Sequence, residues 1–191
     1  MTNNIARQPF VLLDDRADVI HAQPPAVIMC DPKFTVNVAQ MIRNCASFGI
    51  DWLFLTGNRL ELPAAKGKGR NRMPRQERMR EYRTVQVVQS EFPIRWFNQQ
   101  DIVPIGVELA RGAIPLPVFA HPKNAIYILG PEDGSIPAGM KALCHTIVQI
   151  PTRHCLNVAM AGGIVLYDRI VNRWRNGQGA LPELAENRGW E

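Results

Sequence analysis

No stretch of this 191-residue chain approaches the roughly 20 consecutive apolar residues that cross a bilayer, so a helical membrane span is excluded. The opening residues, MTNNIARQPF, lack an apolar core and a small-residue cleavage site, and no secretory signal is expected. Cysteine is scarce. Cys30, Cys45, Cys144 and Cys155 form no C-x-x-C pair, which argues against a disulfide framework and a zinc ribbon. The adjacent pairs Cys144-His145 and His154-Cys155 do not have the spacing of a zinc finger or knuckle, so no metal is expected. No G-x-G-x-x-G follows the first apolar run and no G-x-x-x-x-G-K-[ST] occurs, which removes the dinucleotide fingerprint and the P-loop. No internal repeat is found either. What is left is a soluble protein with reduced thiols, expected in the cytoplasm.

Hydrophobic residues make up 46% of the chain and charged residues 20%, a globular composition, and the length suits one domain. Short apolar runs, at 26–30, 52–55, 85–88, 102–107, 125–129 and 146–150, alternate with longer amphipathic stretches. That alternation predicts an α/β domain with a mostly parallel sheet. After Asn37, the residues Val38, Met41, Ile42 and Cys45 recur at helical spacing, and Gly49 stands where a left-handed cap would end the helix. In the last stretch Leu156, Met160, Ile164, Tyr167, Val171 and Trp174 recur at steps of three and four, predicting a long helix whose apolar side packs on something substantial. Residues 1–24 and 177–191 show little periodicity and read as terminal extensions of a domain spanning 25–176.

The net charge is +5, but its distribution is more telling. Between Lys66 and Arg83 the chain carries Lys66, Lys68, Arg70, Arg72, Arg75, Arg78, Arg80 and Arg83 against Glu77 and Glu81 alone. A solvated loop and helix is the ordinary fate of such a run. Clustered cations also repel one another unless an anion lies near, and that is how proteins meet phosphate backbones, so RNA contact is expected here.

Three segments carry the chemistry: Asn37 to Asn44 (NVAQMIRN), Leu129 to Gly134 (LGPEDG) and Ile150 to Val158 (IPTRHCLNV). Arg43 is the one cation of the first, and a guanidinium there suits a phosphate, although a surface ion pair is the ordinary alternative. Six residues separate it from Asn37, about 600° around a helix, so the two do not share a face and Asn37 reads as an N-cap or loop contact. Gly130-Pro131-Glu132-Asp133-Gly134 follows a buried-looking strand at the end where open α/β sheets place ligands, although a plain turn has the same residues. Asn157 precedes the last helix and reads equally as its cap or as a hydrogen-bonding partner of a ligand.

In this order and spacing the three segments resemble the motifs of the SpoU (TrmH-like) RNA methyltransferases of the SPOUT superfamily, over about Ala26 to Trp174. The resemblance implies a mostly parallel α/β sheet with a C-terminal trefoil knot, and a homodimer in which each active site borrows residues from its partner. It implies methyl transfer from S-adenosylmethionine to a ribose 2′-hydroxyl of tRNA or rRNA, without metal. Two rivals are a catalytically silent RNA-binding knot protein and a base methyltransferase on the same fold. Catalytic roles are implied for Arg43, Asn37, Glu132 and Asn157, with Arg43 on the phosphate of the reacting nucleotide and Glu132 ordering a partner's Arg43. Cofactor contacts are implied for Glu108, Gly130, Ile150, Cys155 and Leu156, with Ile150 and Leu156 bracketing the adenine. Two positions depart from the pattern: Ala39 stands where the family has Gly, and Cys155 where it has Ser.

Overall fold

A computed structural model describes the backbone of Val11–Asp14 and, in full, residues 22–60, 84–98 and 100–181. The expected RNA-binding residues Lys66, Lys68, Arg70, Arg72, Arg75 and Arg78 lie outside the described residues.

The six apolar runs fall on strands, and two more, the first and sixth in chain order, join them: β1 (Val11–Asp14), β2 (Ala26–Met29), β3 (Trp52–Leu55), β4 (Gln86–Gln89), β5 (Val103–Val107), β6 (Ile114–Pro115), β7 (Ala125–Leu129) and β8 (Thr146–Gln149). They form one sheet in the order β1-β4-β3-β2-β7-β5-β8-β6, every pairing parallel, as the alternation predicted. β1 lies within the stretch read as an N-terminal extension; it joins the sheet edge beside β4, register Val11 to Gln86. Strands β2, β3 and β7 are buried at every position. Continuous apolar runs of this kind mark strands covered on both faces.

Alternate residues feed two cores. Val27, Met29, Leu53, Leu55, Tyr127 and Leu129 point toward helices α1 (Thr35–Ser47) and α3 (Val158–Arg175). Ala26, Ile28, Phe54 and Ile128 point the other way, against Trp96 and Phe97, beside the short helix α2 (Ala138–Ala142). Helix α1 ends as expected, with Gly49 at φ 68°.

The last helix differs from expectation. Its buried residues are Ala159, Gly162, Val165 and Leu166, and this face packs on α1 so closely that a Cβ on Gly162 would overlap Met41. The stripe of Met160, Ile164, Tyr167 and Trp174 is exposed instead. Small residues let two helices approach, and of the large apolar residues outside this contact Tyr167 meets Phe48 edge to face at 6.5 Å.

Candidate active site

Two halves of the chain meet at β2 and β7, and the loops leaving the carboxyl ends of β2, β5, β7 and β8 converge there. Open α/β sheets place ligands at such a point. A cavity of about 620 Å³ opens between these loops, a volume typical of a small-molecule site. Its apolar wall includes Val107, Leu109, Leu129, Ile136, Ile150 and Leu156, and its polar wall includes Asn37, Glu132, Asn157 and Glu108.

Three of these polar residues form one hydrogen-bonded chain. Asn37 Nδ2 donates to Glu132 Oε1 at 2.6 Å, and Asn157 Nδ2 donates to Asn37 Oδ1 at 2.8 Å. Asn157 Oδ1 in turn accepts from the Ala159 and Met160 N–H groups at 2.9 and 3.2 Å, capping α3. The cap reading of Asn157 therefore holds, and its amide faces the cavity through Asn37. Asn37 is not an N-cap: Phe34 occupies that position, and Asn37 lies buried in the first turn of α1 with its amide turned to Glu132.

Glu132 also accepts from the Lys33 N–H at 2.8 Å and the Phe34 N–H at 3.3 Å, so its hydrogen bonds fix the β2–α1 loop of its own chain. Burial works to raise its pKa, but the hydrogen bonds from Asn37 and from the Lys33 and Phe34 backbone outweigh it and hold the carboxyl below the usual range. It is an ionised anchor, already engaged by several donors, and a poor proton acceptor.

Glu108, half-buried on the cavity wall, forms an ion pair with Lys141 on α2 at 2.7 Å. Burial raises its pKa, and the hydrogen bonds from Lys141 and Ser135 more than reverse that, keeping it ionised. Gly130 has a use the motif did not disclose. A Cβ there would lie 2.9 Å from Ile136 N, so the loop can fold back over the strand end because residue 130 has no side chain.

Around the rim, Arg59 ties three loops together. It pairs with Asp31 after β2 at 2.8 Å and with Asp133 after β7 at 2.9 Å, and Lys33 joins Asp133 at 3.1 Å. The Arg59 and then the Lys33 hydrogen bonds hold Asp133 low.

Of the residues expected from the sequence, Asn37, Glu132, Asn157, Glu108, Gly130, Ile150, Cys155 and Leu156 all line the cavity. Arg43 does not. It sits on the exposed side of α1, six residues beyond Asn37 and about 9 Å further along the helix axis. Cys155, exposed at the cavity, and Ala39, buried in α1, occupy the two positions that depart from the motif pattern. Among the described residues no cluster of His, Cys, Asp or Glu is arranged to hold a metal. Sequence reasoning missed Phe34, Val36, Ser135 and Thr152 on the cavity wall and the Arg59 clasp at its rim.

The model of the SpoU rRNA Methylase family matches residues 24–167. No curated protein sequence matches the chain. Among solved structures, the A. aeolicus TrmH/SpoU tRNA modifying enzyme is similar at 19% identity over 88% of this chain and 85% of that one, TM-score 0.66. The SpoU methyltransferase AviRb from Streptomyces viridochromogenes, in complex with the cofactor AdoMet, is similar at 20% identity over 85% and 64%, TM-score 0.63. An AdoMet-bound rRNA methyltransferase from Sinorhizobium meliloti follows at 20% identity over 82% and 59%, TM-score 0.61. The chain thus spans less than two thirds of the last two proteins. At these identities the likeness is one of fold.

Proposed function

The chain belongs to the SpoU rRNA methylase family, and on that footing we propose that it transfers the methyl group of S-adenosylmethionine to a ribose 2′-hydroxyl of tRNA or rRNA in the cytoplasm. The observation that carries this reading is the Glu132–Asn37–Asn157 chain along one wall of a cavity whose other wall is apolar. The residues fit the cofactor. Ile150, Leu156 and Leu129 offer flat apolar surface for an adenine, and the Glu108 carboxylate offers an acceptor for ribose hydroxyls. When bound, the cofactor supplies a methyl group on a sulfonium, whose departure leaves a neutral thioether.

The chain's own residues supply position. Glu132, ionised, holds the Asn37 amide and the Lys33–Phe34 backbone, and Asn37 passes that order to Asn157 and the start of α3. A sugar hydroxyl brought to this wall would find fixed amide and carboxylate partners, so its orientation costs little at the moment of reaction. Guanidinium groups keep their proton in proteins and make poor bases, so Arg43 is assigned phosphate binding and charge stabilisation rather than proton removal. Calorimetric titration with S-adenosylmethionine, followed by nucleoside mass spectrometry of treated tRNA and rRNA, tests the reading. Saturable binding with 2′-O-methylated product supports it; no cofactor binding leaves the silent RNA-binding protein, and a methylated base leaves the base methyltransferase.

The proposal includes a homodimer and a knotted C-terminus. The exposed stripe of Met160, Ile164, Tyr167 and Trp174 supports the first, because so much contiguous apolar surface on one helix is costly in water. Supporting the second, the chain leaves β8 beyond β5 and returns across the sheet to pack α3 on α1. Tyr167→Asp or Ile164→Asp is therefore expected to convert the dimer to a monomer at micromolar concentration in light scattering. A variant of either kind that stays dimeric removes α3 from the interface.

The basic stretch is proposed to bind the RNA backbone. Changing Arg70, Arg72, Arg75 and Arg78 to Gln should weaken RNA binding, leave cofactor affinity intact, and lower the salt slope by about one unit for each phosphate that is no longer neutralised. An unchanged salt slope would reduce the segment to solvated surface.

A further inference from the structure

We propose that Phe34 is the residue on which the substrate's base stacks, so that the enzyme takes an unpaired nucleotide, from a loop or single strand, rather than one held in a duplex. This rests on the methyltransferase reading above and adds the substrate class.

Phe34 occupies the N-cap of α1, a position that favours Ser, Thr, Asp or Asn because their side chains accept from the free N–H groups of the first turn. Phenylalanine makes no such bond, and none is present. Burial does not account for the ring either, since Phe34 is 49% exposed at the cavity. A large aromatic residue has been placed where it neither caps the helix nor fills the core.

Its surroundings give it a rigid seat. The Phe34 N–H donates to Glu132 Oε1, and its carbonyl accepts from the Asn37 N–H at 3.0 Å, so the backbone on both sides of the ring is tied to the polar wall. Lys33 Nζ lies 5.5 Å from the ring centroid while its ammonium is held by Asp133. A cation near the ring, a half-exposed aromatic surface and a cavity alongside are the elements with which proteins hold a splayed-out base.

Position within the cavity separates this role from cofactor binding. Phe34 stands on the loop after β2, next to Glu132 and Asn37, whereas Ile150 and Leu156 stand on the loop after β8. A ribose hydroxyl at the Asn37–Glu132 wall would carry its base outward toward the Phe34 ring. Bases inside an A-form helix are already stacked and cannot reach it.

The test uses the full-length protein, S-adenosylmethionine, and two hairpin RNAs with 2-aminopurine, one in the loop and one in the stem. The wild type and Phe34→Tyr should quench the loop probe and leave the stem probe unchanged. Phe34→Ala and Phe34→Leu should bind the loop hairpin roughly 5- to 100-fold more weakly, the range of one missing aromatic stack, and without quenching. Cofactor affinity and dimerisation should match the wild type in every variant. Equal loop binding by wild type and Phe34→Ala overturns the proposal, as does a wild type that takes up cofactor but does not bind the loop hairpin. So does a Phe34→Ala defect in cofactor affinity or in dimerisation, which would assign the ring to the adenine or to a second copy. A wild type that binds no S-adenosylmethionine instead refutes the methyltransferase reading itself.

Discussion

Glu132→Ala should lower turnover by about 10²-fold or more, as loss of a group that organises a preformed polar site commonly does. The carboxylate is the common acceptor for the Lys33 and Phe34 N–H groups and for the Asn37 amide, so its removal frees a loop and a side chain together. Asn37 then loses the partner that sets its orientation, and through Asn37 the effect reaches Asn157. Each donor left without a partner costs about 1–3 kcal/mol if water cannot replace the acceptor, and less here because the loop is exposed on one side. Cofactor affinity should change little, because the α3 cap made by Asn157 Oδ1 does not involve Glu132. Because Asn37 and Glu132 act as one unit, the double variant with Asn37→Ala should be hardly slower than the worse single variant. A Glu132→Ala enzyme that turns over at the wild-type rate removes the polar wall from the mechanism.

The same carboxylate gives a pH signature whose sign is fixed by its hydrogen bonds. Its pKa is lower in the folded protein than in the unfolded chain, so the stabilisation is complete above the unfolded value and is lost as pH falls through the folded one. The wild type's resistance to urea should fall on acidification below the ordinary glutamate range, about pH 4.3, more steeply than that of Glu132→Gln. Parallel curves would mean that another carboxylate governs acid stability.

How much of this is legible in the sequence depends on whether the cause is local. Strands β2, β3 and β7 announce themselves as unbroken apolar runs because both their faces are covered. Three motifs far apart in sequence supply most of the expected cavity residues because the ends of parallel strands must share one edge of the sheet. The buried face of α3 escapes the spacing rule for a physical reason. Hydrophobic spacing finds the large residues, here Met160, Ile164 and Tyr167, but the contact with α1 is made by Ala159 and Gly162, whose value lies in being small. Asn37 reads as a cap because amides favour that role, whereas Phe34 holds it. Arg59 leaves no trace in the sequence: its partners Asp31 and Asp133 lie 28 and 74 positions away, and no local pattern encodes such a clasp. Strand β1 owes its place to pairing with β4, Val11 beside Gln86, 75 positions away, which no local pattern encodes.

Arg43→Ala should reduce turnover by about 10²-fold or more while leaving cofactor binding intact, because the guanidinium is assigned to the reacting nucleotide's phosphate and to charge developing at the 2′-oxygen. Arg43→Lys keeps the charge but loses the planar fork, so a rate that stays low would identify two-pronged phosphate binding rather than charge alone. The position of Arg43 sharpens the prediction. It lies on the exposed side of α1, outside its own chain's cavity, and an exposed apolar stripe runs along neighbouring α3. In the proposed dimer Arg43 would therefore complete the partner's site, and complementation reveals this. In a mixed dimer of Arg43→Ala with Glu132→Ala chains, one site has both defects and the other has neither. Random mixing of equal amounts of these two nearly inactive proteins should thus recover about a quarter of wild-type activity, as a symmetric two-site dimer requires. If each site used its own Arg43, both sites of the mixed dimer would be defective and no activity would return. Mass spectrometry of subunit exchange confirms that mixed dimers have formed, so an inactive mixture then assigns Arg43 to its own chain. Wild-type turnover in Arg43→Ala would return the residue to the surface ion pair that an exposed arginine ordinarily makes.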